Sequence, residues 1–170
     1  IDLNAVAPRW QYTASMAFAR RYPNATLLPD GKVLVTGGTS SNLDDTLGAV
    51  YAAEMWDPAT GAWTTLAAMS VPRMYHSTAV LLPDGRVLSA GGGGLDNVSL
   101  ESNHYDSETY SPPYLHRGAR PIIGSAPESA GYGETFIVGS PDAAGITKVT
   151  LVAPSSTTHP SPRTTVSIST

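Results

Sequence analysis

Tyr75 and His76 stand side by side in "RMYHSTAVLLPDGRV", residues 73–87, just before an apolar run that ends in a Pro-Asp-Gly turn. A phenolate oxygen beside an imidazole nitrogen suits Cu(II) in a tetragonal N,O field. Neighbouring residues of a regular strand point to opposite faces, so both can reach one centre only from a strand end or a bulge. Taken alone, a Tyr-His dipeptide reads as an ordinary structural pair. The other candidates are scattered. His159 lies in a Ser/Thr-rich tail and by itself reads as a solvated loop histidine. Asp44-Asp45 could attract a cation and reads as solvated loop. Gly37-Gly38 and Gly91 to Gly94 are followed by neither a helix nor a Lys-Ser/Thr pair, so they are not a phosphate cradle. Asn24-Ala25-Thr26 and Asn97-Val98-Ser99 fit the glycosylation triplet, a pattern frequent by chance, and the first abuts an expected strand.

The elements that position these residues are legible in the composition. The chain has 170 residues, 41% of them hydrophobic, which is enough for a real core in one or two domains. Sixteen Gly and fourteen Pro against 14% charged residues describe short strands joined by tight turns, an all-β chain. The net charge of -4 is spread along the sequence with no Lys/Arg block, which excludes a phosphate-binding stripe and with it nucleic acid as an expected partner. No apolar run reaches the length of a spanning helix, so no membrane role is expected. With no cysteine, neither a disulfide nor a thiolate metal site can form within these residues. The chain opens Ile1-Asp2-Leu3-Asn4, without a Met or an apolar leader, and reads as a mature or excised piece.

An internal duplication organises the chain. "TLLPDGKVLVTGG" (26–38) recurs as "VLLPDGRVLSAGG" (80–92), a period of 54 residues. Upstream, "MAFARRYPNA" lies over "MSVPRMYHST" with a one-residue offset, pairing Arg20 with Arg73 and Tyr22 with Tyr75. Each copy reads as a strand, a Pro-Asp-Gly turn, a second strand and a Gly-Gly pair, which is a β-hairpin. "YAAEMWDPATGAWTTL" (51–66) adds two more strands, with Trp56 and Trp63 flanking their turn. A four-stranded unit of this size with di-glycine after its second strand is the signature of a kelch-type β-propeller blade. Residues 1–10 fit the tail of an earlier blade and "HYDSETYSPPYL" (104–115) the outer strand of a later one, so about two blades are expected in residues 1–117. Two blades cannot close a propeller, whose remainder is expected from the same, longer polypeptide or from another copy. From Gly118 the alternation and turn spacing suggest the start of a β-sandwich over 118–170, with the prolines of residues 111–121 as an extended connector.

"RMYHSTAVLLPDGRV" with "AGGGG", "NHYDSETYSPPYL" and "RPII" resembles the C-terminal part of the galactose oxidase and glyoxal oxidase family of copper-radical oxidases, over roughly residues 12–160. The resemblance implies that Tyr75 is an axial and His76 an equatorial copper ligand, and that His159, in "KVTLVAPSSTTHP", is a further ligand from an immunoglobulin-like sandwich. It implies that Tyr75 is also catalytic, as the base that takes the alcohol proton. Tyr51 falls where the family has an aromatic in the substrate pocket, and Arg20, Arg21 and Tyr22 lie on the equivalent loop of the preceding repeat. His104 matches a structural histidine of the blade.

The implied reaction oxidises a primary alcohol, an aldehyde or a carbohydrate. Two electrons are stored on copper and a tyrosyl radical, then passed to O2 to give hydrogen peroxide outside the cell. The radical tyrosine and its thioether-linked cysteine come from upstream blades in the family, and no cysteine here can supply that link. "PSPRTTVSIST" also departs from the strand that usually follows the ligand histidine. The competing expectation is a non-catalytic scaffold that binds carbohydrate or protein through its blade loops.

Overall fold

The computed structural model describes residues 1–41, 46–93, 103–153 and 166–168. The first sheet is an antiparallel meander of β1 (Asn24–Leu27), β2 (Val33–Thr36), β3 (Ala52–Asp57) and β4 (Ala62–Ala68), in that order. The second is β5 (Ser77–Leu81), β6 (Val87–Gly91) and β7 (Ser107–Tyr110). The 54-residue period is a structural one, because β7 falls where β3 falls in the first copy. The strand in 104–115 is therefore the third strand of the second sheet, paired with β6 through Leu88↔Thr109 and Ser89↔Glu108, and not the outer strand of a later blade.

The two Pro-Asp-Gly turns are built alike. Gly31 and Gly85, at φ 89° and 86°, donate their N–H groups to Leu28 and Leu82 carbonyls at 2.9 Å. Proline presets φ at the first corner, and the aspartate accepts the next free N–H, from Lys32 at 3.2 Å and from Arg86 at 3.0 Å. In the first sheet Trp56 and Trp63 face each other across the β3–β4 ladder. Asn24 begins β1 and spends its amide on Ser77 Oγ at 2.9 Å, tying one sheet to the other. The triplet at Asn97 lies outside the described residues.

The core lies between the sheets. Leu28, Leu34, Ala53 and Met55 meet Val87, with Leu66, Ala79, Leu81, Tyr110 and Tyr114 around them. Burial of each large aliphatic side chain stabilises the pair by about 2 kcal/mol. The proline-rich segment does not run on as an extended connector. Pro113–His116 is a 3-10 turn, because two prolines preset helical φ at its start, and Tyr114 Oη donates to Gly85 O at 2.5 Å. Beyond it lie the Ser125↔Gly139 bridge, the turn Ala143–Gly145 and the pair β8 (Val149–Leu151) with β9 (Val166–Ile168).

A buried arginine repeats with the sheets. Arg20 Nη1 donates to the carbonyls of Gly37 (3.0 Å) and Ala52 (3.1 Å), and Arg73 Nη1 to those of Gly91 (2.9 Å) and Asp106 (3.1 Å). Each guanidinium thus pins the segment leading into β1 or β5 to the second and third strands of its own sheet. Glu54 Oε2 closes on Arg20 Nη2 at 2.5 Å with both side chains fully buried, while Glu54 Oε1 accepts from Ala17 N at 2.6 Å. Glu108 accepts likewise from Ser70 N at 2.8 Å, and Arg73 pairs instead with Asp106 at 3.1 Å.

Candidate metal centre

The Tyr75–His76 pair owes its geometry to the turn that leads into β5. Upstream, Arg73 is buried as described, and its carbonyl accepts the Gly38 N–H at 2.7 Å. A Cβ on Gly37, whose φ is +67°, would overlap that same carbonyl, so the first di-glycine is the seat on which the second repeat's entry segment docks. Met74 is buried and its carbonyl accepts Ser77 N at 3.0 Å, closing a four-residue turn, while Tyr75 O accepts Gly93 N at 2.9 Å.

His76 occupies the third position of that turn with φ 60°. Glycine or asparagine is usual there, and a larger residue in the left-handed region costs about 1 to 2 kcal/mol. The consequence is that the two side chains do not diverge. Their ring centroids lie 3.8 Å apart at an interplanar angle of 37°. Tyr75 is half-buried and His76 exposed, so one ring is held while the other faces solvent.

A third ring joins them. Tyr22 meets Tyr75 edge to face, with centroids 5.0 Å apart and planes at 61°. Arg21 lies over the Tyr22 ring at 4.6 Å and donates from Nη2 to Tyr22 Oη at 2.9 Å. The one-residue offset between the repeats falls before this point. Arg21 bridges to Thr39 as Tyr75 bonds to Gly93, and Tyr22 shares its left-handed φ, 56°, with His76. The structural partner of Tyr22 is therefore His76, not Tyr75 as the sequence pairing had it; only Arg20 with Arg73 holds from that alignment. The sequence signal was present, since Tyr22 and His76 stand 54 residues apart, the period of the hairpins.

The donor chemistry fits copper as far as the described residues go. A phenol oxygen and an imidazole nitrogen on one turn are donor types that suit a Cu(II) N,O field. Among the described residues no group of three or more His, Cys, Asp or Glu converges to hold a metal. His159 and Asp44-Asp45 lie outside the described residues. Tyr51 lines an open depression of about 440 Å3 with Phe18, Leu47 and Val50, and neither Tyr75 nor His76 is among its walls. His104 donates its backbone N–H to Gly92 O at 2.9 Å, and its buried Nε2 has no partner among the described residues.

The sequence profile of the family described as "Glyoxal oxidase N-terminus" matches residues 1–114. The chain is 31% identical over 151 residues to a galactose oxidase of Gibberella zeae, covering 84% of this chain and 21% of that protein. It is 32% identical over 179 residues to the aldehyde oxidase GLOX1 of Arabidopsis thaliana, covering 94% and 29%. A solved structure described as a novel fungal alcohol oxidase with catalytic diversity among the AA5 family, in complex with copper, superposes with a TM-score of 0.70 at 36% identity, over 78% of this chain and 29% of that one. The chain thus spans less than a third of the length of these relatives.

Proposed function

Because this chain belongs to the galactose oxidase and glyoxal oxidase family of copper-radical oxidases, we propose that it is part of a secreted oxidase that converts a primary alcohol or aldehyde with O2 and releases hydrogen peroxide. Tyr75 and His76 would hold the copper, joined by His159. The single observation that carries this reading is the placement of Tyr75 and His76 on one turn with their rings 3.8 Å apart, against the tendency of adjacent residues to diverge.

Bound there, copper supplies Lewis acidity and the electron capacity for O2 chemistry. The chain's own residues would hold the site and take the substrate proton. The turn from Met74 to Ser77 holds the imidazole of His76, and the Arg73 clamp holds the turn. Tyr75 Oη would accept the proton of the substrate hydroxyl, acting as general base from a half-buried ring. Tyr51 is proposed to contact the remainder of the substrate.

Residues 118–170 are proposed to begin an immunoglobulin-like sandwich that delivers His159, and the rest of the propeller is proposed to come from the same polypeptide and to bring the radical tyrosine and its cysteine. Among the described residues no helix is long and apolar enough to cross a membrane. The test is peroxide release by the complete, copper-loaded polypeptide over a panel of primary alcohols and aldehydes. Tyr75→Phe should lower kcat by about a hundredfold or more, the contribution typical of a general base. Full activity in that variant, or no peroxide from any member of the panel with the wild type, would refute the reading.

A further inference from the structure

The duplication brings one more aromatic residue to the candidate centre than the ligands themselves. Tyr22 and His76 occupy the same place in their repeats, one period apart, with φ 56° and 60°. The residue before each is tied to its own sheet, Arg21 by the bridge to Thr39 and Tyr75 by the N–H of Gly93. Adjacent sheets therefore present Tyr22 and His76 from equivalent positions, and the ring between them is Tyr75.

Tyr75 is contacted by His76 at 3.8 Å and by Tyr22, edge to face, at 5.0 Å. Tyr22 is itself fixed, because Arg21 covers its ring and donates to its hydroxyl. A left-handed φ in a bulky ring residue is a cost the chain bears twice within one aromatic cluster, at Tyr22 and at His76, and such outliers collect at functional sites.

We infer that Tyr22 is a positioning residue of the copper site, an aromatic wall that holds the Tyr75 ring against the His76 imidazole; the inference rests on the oxidase reading above. Without that wall, Tyr75 gains rotamer freedom on its open side. Freezing that freedom when metal binds costs affinity, as with other groups that orient metal ligands. Tyr22→Phe keeps the ring face and loses only the hydroxyl that Arg21 holds, so it should behave nearly as the wild type.

The test uses the complete polypeptide, copper-free and carrying isotope-labelled histidine, as wild type, Tyr22→Phe and Tyr22→Ala, each then titrated with Cu(II). The His76 ring protons lie close to the Tyr75 ring and carry a ring-current shift. Tyr22→Ala should collapse that shift and weaken Cu(II) binding roughly tenfold, and Tyr22→Phe should restore both. A shift and an affinity unchanged in Tyr22→Ala overturn the inference. Should Tyr22→Ala not fold, Tyr22→Leu, which keeps bulk without a ring face, replaces it with the same expectation. If Tyr22→Ala moves the His76 shift in a protein that binds no Cu(II), the positioning role stands and the oxidase reading falls. If Cu(II) binding needs Tyr75 and His76 but ignores Tyr22, the reading stands and this inference falls.

Discussion

Replacing Glu54 by alanine removes the carboxylate that faces Arg20 across 2.5 Å while both side chains are shut off from solvent. The guanidinium is left buried with no counter-charge, a defect that typically costs about 3 to 5 kcal/mol. The Ala17 N–H also loses its acceptor at 2.6 Å. The size of the loss depends on the charge, so Glu54→Gln, which keeps the shape and one acceptor oxygen, should cost about 1 to 3 kcal/mol. In an isolated buried pair, replacing both partners by apolar residues is often neutral. Here it should not be, because Arg20 also satisfies the carbonyls of Gly37 and Ala52. Arg20→Met with Glu54→Leu strips both of donors, and about 2 to 4 kcal/mol of destabilisation should remain.

The second repeat supplies the contrast. Arg73 Nε and Nη2 and Glu108 Oε2 have no partners among the described residues, so Glu108→Ala should lose little more than the bond from Ser70 N, about 1 kcal/mol. Urea unfolding of the complete polypeptide reads these differences as midpoint shifts at constant slope. A Glu54→Ala loss below about 1 kcal/mol, or a double variant as stable as the wild type, would refute the view that this arginine pins the sheet.

Gly37→Ala should destabilise by about 2 kcal/mol or more, since it combines a left-handed φ with a Cβ that meets the Arg73 carbonyl; the same urea series measures it. Burial, and after it the nearby Asp30 carboxylate, push the Tyr114 phenol up to about 12 from an ordinary 10.0. Its folded value is raised, so its contribution is complete below pH 10 and lost as pH rises through 12. Two units correspond to nearly 3 kcal/mol, discounted to about 1 to 2 kcal/mol because the ring is partly exposed. Alkaline unfolding of Tyr114→Phe should lack that loss, and an unchanged pH slope would show the attribution to be wrong. His76→Gly should relieve the left-handed turn and stabilise by about 1 kcal/mol while lowering copper affinity. A thermal melt paired with a copper titration separates the two effects.

The blade was legible because its punctuation is chemical. Pro29-Asp30-Gly31 and Pro83-Asp84-Gly85 each demand a turn, and the runs on either side demand strands, so the repeat fixed both hairpins and the Trp56–Trp63 pair. The Tyr-His dipeptide stood out in the sequence as a candidate donor pair, and the strand-end requirement set on it is met, since β5 begins only at Ser77. What failed was register. A one-residue insertion between Arg73 and His76 leaves two pairings open; the 54-residue period pointed to Tyr22 with His76, and the hydrogen bonds to Thr39 and Gly93 and the two left-handed φ angles align them. The Arg20–Glu54 pair escaped notice for a related reason. Sequence spacing does not reveal that a charged residue 34 positions away lies opposite across a sheet.

The measurement that bears most directly on the central claim is the copper content of the complete polypeptide after equilibrium dialysis against Cu(II), for the wild type and for Tyr75→Phe with His76→Ala. The account predicts stoichiometric copper in the wild type and its loss in the double variant, with the urea midpoint of the variant close to that of the wild type. Copper retained in the double variant at the wild-type level, or none bound by the wild type, would contradict it.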